Sequence, residues 1–178
     1  MFFLGHMTWA YVWSAIFTGK RSGKTFIPAI LMVGILPDLD LFFHRFGVVH
    51  HTFTHSFFFW LVVFAPFLTV FRQKSIPYFA AVVQHFAFGD FIVGNVMILW
   101  PFSQGLFGFN IAMASVLDVV LEVGGLLLAI GIMYFKGDLK RLLAVDRDNI
   151  SLFLPLLALL ASMRIFAVEY AIAPVVAY

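Results

Sequence analysis

Apolar stretches long enough to cross a lipid bilayer recur six times along this chain, and no other feature limits its fold so severely. A helix needs roughly 20 apolar residues to traverse the hydrocarbon. The stretches run over about 2–18, 25–43, 55–71, 76–99, 110–135 and 150–175. Too little polar chain is left to cover them. Hydrophobic residues make up 63% of the 178 and charged residues 11%, against about a quarter charged in a soluble domain. The expected architecture is all-α: a polytopic membrane helix bundle of about six transmembrane helices, forming one domain over 1–178. One break is expected inside it, at Pro37–Asp40, because Pro37 disfavours helix at Leu36 and so interrupts the second span at "LPDLD".

Composition also removes several kinds of chemistry. A formal net charge of +2 leaves no footprint for nucleic acid. The absence of cysteine excludes disulfides, iron–sulfur clusters and thiolate zinc sites, so any metal must be held by His, Asp, Glu or neutral oxygens. The start "MFFLGHMTW" has no basic leader and no small-residue cleavage signal, so no removed signal peptide is expected.

The loops sort by charge. Lys20, Arg21, Lys24, Arg72, Lys74, Lys136, Lys140, Arg141 and Arg147 follow the first, third and fifth stretches and so share one side. The other side holds Arg45 alone. The positive-inside rule then puts both termini and the histidine-rich loop on the extracytoplasmic side of the cell membrane. The last basic loop, "KGDLKRLLAVDRD", has the spacing of an interfacial helix.

Ionisable residues inside apolar spans are costly and are functional candidates by default. Here they collect in one half of the bilayer: His6, Asp38 and Asp40, His50, His51 and His55, Asp90, Asp118 and Glu122, with His85 deepest and Arg164 and Glu169 in the last stretch. His51 and His55 are four apart and would share a face if helical. Asp38 and Asp40 would point the same way in extended or turn backbone. Gly89 and Gly94 would permit close helix approach. Plainer readings stand beside these. A lone intramembrane histidine such as His6 or His44 is more often a hydrogen-bonded packing residue than a ligand, and the two aspartates serve equally as a solvated turn. Asp118, Glu122, Arg164 and Glu169 fit a structural ion-pair network between the last two spans, although Arg164 also suits a phosphate. Ser56 is expected to cap the helix that starts beside it.

"LPDLD", then "HHTFTHS", then a helix carrying His85 and Asp90 that leads to "LWPFS", resembles the LexA-regulated membrane-bound metal-dependent hydrolase family, the YdjM-like group. That pattern has an N-terminal His, P-D-x-D, H-R-G-x-T-H-S, a later H-x-x-x-D and W-P-F. The resemblance covers about residues 5–103; the helical part over 109–178 carries no matching motif. By position, His6 is the N-terminal His, Asp38 and Asp40 the acidic pair, His50 and His55 the motif histidines, and His85 and Asp90 the later pair. His51 stands where the family has Arg, Thr52 where it has Gly, and His85 and Asp90 are five apart rather than four.

The resemblance implies hydrolysis with Asp38, Asp40, His50, His55, His85 and Asp90 as metal ligands. Carboxylates with imidazoles suit Zn²⁺, and also Mn²⁺ or non-haem Fe. Six candidates exceed the three protein ligands of a one-zinc catalytic site, so two ions are plausible. The expected activity is a phosphoesterase, phospholipase-like, acting on a membrane lipid. Asp38 and His51 are the expected catalytic residues, and His6 and Arg164 the expected substrate contacts. The alternative is a transporter that moves protons or divalent metal along the same polar line.

Overall fold

The computed structural model describes residues 1–18 and 25–144; of these, His44 and Arg45 are placed by their backbone only. The sixth apolar stretch, with Arg164 and Glu169, lies outside the described residues, as do Lys20, Arg21, Lys24 and Arg147.

Among the described residues every regular element is helical. They are α1 (Phe3–Phe17), α2 (Ile27–Val33), a 3₁₀ segment (Leu36–Phe46), α3 (Phe57–Phe71), α4 (Ile76–Gln84), a single π turn (His85–Gly89), α5 (Asp90–Val93), α6 (Val116–Lys136) and α7 (Asp138–Leu142), with single 3₁₀ turns at Phe53–His55 and Arg72–Lys74. The boundaries follow local chemistry. Pro28 and Pro77 sit in first turns, where a missing N–H costs nothing. Ser56 caps α3, its Oγ accepting from the Phe59 N–H at 3.4 Å. Ser115 caps α6 in the same way through the Asp118 N–H. Gly137, at φ 73°, closes α6 in the left-handed conformation that glycine adopts without penalty.

Three described segments are long and apolar enough to span a membrane: Phe57–Lys74, Ile76–Val93 and Val116–Lys136. Six do not emerge. The first apolar stretch folds as a helix of 15 residues. The second is cut at Val33, with Pro37 forcing the continuation into 3₁₀ geometry, so the expected break is present. The fourth ends at Val93 rather than near 99, because Gly94 is extended and Val96 pairs with Phe107 through two backbone hydrogen bonds. Asp90 therefore lies three residues from its helix end, much shallower than a helix to 99 would put it.

α1 runs through the middle of the bundle. Ala10, Tyr11 and Val12 pack with Ile30 and Leu31 of α2, Ala81 of α4, and Ala129 and Met133 of α6. A second core joins α3 to α4 and the π turn through Trp60, Phe64, Val82 and Phe86. Small residues let the elements close in. A Cβ on Gly34 would fall 2.3 Å from Ala10 Cβ, so the end of α2 reaches α1 only as glycine.

The two ends of the bundle differ. At one, Lys136 Nζ donates to the Ala15 carbonyl, Arg141 donates to the Thr25 carbonyl and to Asp138, and Tyr11 Oη donates to Asp138. The described basic loops meet there, and the basic loop after α6 begins with a short helix, α7, as expected. At the other end the loop after α5 folds over the start of α3. Met97 N–H donates to the His51 carbonyl, Phe57 N–H to that of Ile98, and Ser56 Oγ to that of Trp100. The polar cluster sits at this second end.

Candidate metal centre

Four buried ligand atoms converge: Asp38 Oδ1, His55 Nε2, His85 Nε2 and Asp90 Oδ2. His85 Nε2 is 3.2 Å from Asp38 Oδ1 and 3.0 Å from Asp90 Oδ2. His55 Nε2 lies 3.3 Å from Asp90 Oδ2 and 3.6 Å from Asp38 Oδ1. All four atoms lie within 4.8 Å of one another, so the group could hold a metal ion.

The other ring nitrogens explain why these imidazoles point inward. His85 Nδ1 is 2.8 Å from the Gly34 carbonyl, which can only accept. The proton therefore sits on Nδ1, and in the neutral ring Nε2 offers a lone pair to the cluster. His55 Nδ1 faces Asp40 Oδ2 at 3.4 Å and Thr54 Oγ1 at 3.0 Å. His50 Nδ1 is 2.8 Å from Asp40 Oδ1, while its Nε2 stands 3.8 Å from Asp38 Oδ1. Three histidines thus anchor Nδ1 on an oxygen and present Nε2, the arrangement by which proteins fix metal-binding imidazoles. Lone pairs facing carboxylates at 3.0–3.6 Å need a proton or a cation between them. His55 Nε2 and Asp90 Oδ2 are buried without any hydrogen-bond partner. Such orphans carry a large desolvation cost unless something binds them. The residues fit a divalent metal.

The six expected ligands are brought together, but not equivalently. Asp38 and Asp40 lie in 3₁₀ helix, not in extended or turn backbone. At three residues per turn, positions two apart point about 120° from each other. Asp38 accordingly faces the Nε2 side of His55 and Asp40 its Nδ1 side, so the pair clasps one imidazole from both edges. His51 and His55 do not share a helix face either. His51 is left-handed, at φ 64°. The sharp turn still brings the two rings to 4.9 Å.

His50, His51 and His55 form a second group able to hold an ion, with His50 and His51 half-buried at the open rim. Burial, and then the neighbouring His50 ring, hold His51 down at about 4, so it is neutral near pH 7. Its Nε2 lies 3.8 Å from Asp90 Oδ2.

His6 is fully buried, stacked on His85 at 3.7 Å between ring centres, with Nε2 3.2 Å from Asp90 Oδ1. A Cβ on Gly89 would fall 2.5 Å from His6 Cε1. Gly89 thus does permit close approach, of an imidazole, and Gly94 does the same for His51. Asp118 and Glu122 stand apart. Asp118 Oδ2 accepts from the Ala114 N–H at 2.8 Å, and Glu122 Oε1 from the Phe2 N–H at 2.5 Å. Arg164 lies outside the described residues.

Three contributors were not singled out in the sequence. Thr54 Oγ1 donates to Asp40 Oδ2 at 2.5 Å. Gln84 Nε2 donates to the His6 carbonyl at 2.9 Å. The Gly34 carbonyl fixes the His85 tautomer. Thr54 and Gln84 each adjoin a cluster histidine, a signal available in the sequence; a backbone carbonyl leaves none.

An all-helical chain with membrane-spanning segments and a buried His/Asp cluster at one end is an integral membrane protein carrying a candidate metal centre. It belongs to the YdjM inner membrane protein family, whose model matches residues 1–173 and so extends well past the motif-bearing 5–103. No curated protein and no solved structure matches the chain.

Proposed function

We propose that this chain is a membrane-embedded, metal-dependent hydrolase that cleaves a phosphoester in a membrane lipid. The observation that carries the reading is the convergence of Asp38 Oδ1, His55 Nε2, His85 Nε2 and Asp90 Oδ2, two of them orphaned, on one buried point. Two imidazoles and two carboxylates favour Zn²⁺, with Mn²⁺ and Fe²⁺ compatible. The group of His50, His51 and His55 shares His55 with the first, and a neutral imidazole has one lone pair, so a second ion would be left to His50 and His51. A divalent metal held by these residues would lower the pKa of a water and offset charge on phosphate oxygens.

The chain's own residues do the rest. Asp40 and Thr54 lock His55, and Asp40 also locks His50. His51, neutral and at the rim, stands where a proton would leave or arrive. Asp38 belongs to the ligand set and Asp40 to its support. His6 sits behind His85 and Asp90, as a positioning residue rather than a substrate contact. A transport route would have to continue toward the basic end. There the bundle centre is filled by Ala10, Ile30, Ala81 and Val82, all fully buried, which favours hydrolysis over conduction.

The test is direct. The purified protein should retain one to two zinc ions per chain by elemental analysis and release product from phospholipid vesicles. A chelator should abolish both, and zinc should restore them. A chain that neither retains nor takes up divalent metal, and leaves phospholipids intact, would refute the reading.

The bias of basic loops supports placing the cluster on the extracytoplasmic side. Ser103, in the loop over the cluster, gives the only thiol when changed to Cys. Ser103→Cys should react with an impermeant reagent applied to intact cells from outside. Labelling only in inverted vesicles would reverse the orientation.

A further inference from the structure

A cleft of about 580 Å³ opens along α3, lined by none of the metal centre's ligands, with Lys74 at one end and Leu36 and Trp60 at the other. Between them its wall is apolar: Val63, Phe64, Phe67 and Phe71 from α3. We propose that this cleft binds one acyl chain of an anionic phospholipid whose headgroup rests on Arg72 and Lys74.

Three observations select that occupant. First, one wall of the cleft is α3, itself a candidate span (Phe57–Lys74), and the facing wall is Val33, Leu36 and Tyr78. In a bilayer its mouth therefore meets acyl chains, not water. Second, its length matches one leaflet. Trp60 to Phe71 is eleven helical steps, roughly 16 Å at the helical rise, about half the hydrocarbon thickness. Third, the charge is placed for a phosphate. Arg72 and Lys74 are exposed in the turn between α3 and α4, and neither makes an ion pair among the described residues. Among the described residues, Asp138 at that end of the bundle is already taken by Arg141 and Tyr11. The occupant thus has one anionic group at the basic end and one apolar chain reaching toward the bundle's centre. The site is independent of the hydrolase reading: it uses none of the cluster's residues.

Native mass spectrometry of the full chain in detergent tests it, with phosphatidylglycerol and phosphatidylcholine of identical acyl chains as probes. Phosphatidylglycerol should be retained in preference. Arg72→Gln and Lys74→Gln should each weaken its retention about fivefold and leave phosphatidylcholine unchanged. Val63→Trp, which fills the cleft from a partly exposed position, should weaken both lipids alike while thermal unfolding stays unchanged. Equal retention of the two headgroups, or no effect of Val63→Trp, would overturn the proposal. Cross-linking offers a separate overturning result. A Val63→Cys chain that pairs with a cysteine placed among residues 150–175 would show the cleft filled by the protein's own segment. Disulfide-linked dimers of Val63→Cys would show it filled by a second copy.

Discussion

Asp90→Asn is expected to lower affinity for zinc by more than about 100-fold, beyond the 10- to 100-fold loss usual for a supporting residue. Asp90 Oδ2 stands within 3.3 Å of two imidazole nitrogens and 3.8 Å from a third, His51 Nε2, and has no hydrogen-bond partner. Its Oδ1 meets His6. Asparagine keeps the volume but removes the charge that opposes a divalent ion, and it turns either an oxygen or an NH₂ group toward the cluster. Asp40→Asn is the matched control. Asp40 is equally buried, yet it meets only Nδ1 atoms and the Thr54 hydroxyl, so its loss should fall within the 10- to 100-fold range. Competition against a chromophoric chelator measures both, with helical circular dichroism as the check on folding. Equal losses would erase the distinction between the two aspartates. A larger loss for Asp40→Asn would exchange their roles.

That distinction marks where the sequence stops being informative. The apolar stretches and loop charges predict a helical membrane protein. The joint occurrence of His50, His55, Asp38, Asp40, His85 and Asp90 predicts a shared site, and the structure does bring them together. Periodicity, however, describes faces only for a known helix type. Asp38 and Asp40 diverge because the segment winds as 3₁₀, a choice imposed by Pro37 and by packing against α1. His51 reaches His55 through a left-handed residue that no helical spacing anticipates. Asp118 and Glu122, read as one half of an ion-pair network whose other half, Arg164 and Glu169, lies outside the described residues, accept from backbone N–H groups of Ala114 and Phe2. Those partners are main-chain donors, invisible to any reading of side-chain type. The number of spans suffers for a related reason. Hydropathy counts apolar residues, whereas a crossing needs them in one unbroken helix, and the second stretch does not provide that.

The spacing of His85 and Asp90 yields the second large effect. Five residues apart on an α-helix, the two side chains would diverge by about 140°, and the pair could not meet. Residues His85–Gly89 instead form one π turn, with the Asp90 N–H bonded to the His85 carbonyl. The extra residue is absorbed there, as in single-turn π bulges inside α-helices. His85 Nε2 and Asp90 Oδ2 end 3.0 Å apart. The four-residue interval of the family pattern would place the same pair on one face without a bulge. Deleting Ala87, which is only partly buried, should therefore convert the π turn to α-helix and leave the two ligands together. The expected result is a folded protein whose zinc content stays within a few-fold of the parent chain. Inserting one alanine after Ala87 should do the opposite. It lengthens the interval to six, leaves Asp90 about 120° away from His85 if the helix regularises, and should abolish retained metal. Elemental analysis of the two length variants, beside the parent chain, reads both outcomes. If the deletion loses metal as completely as the insertion, the π turn itself, and not merely the facing of His85 and Asp90, is required by the site.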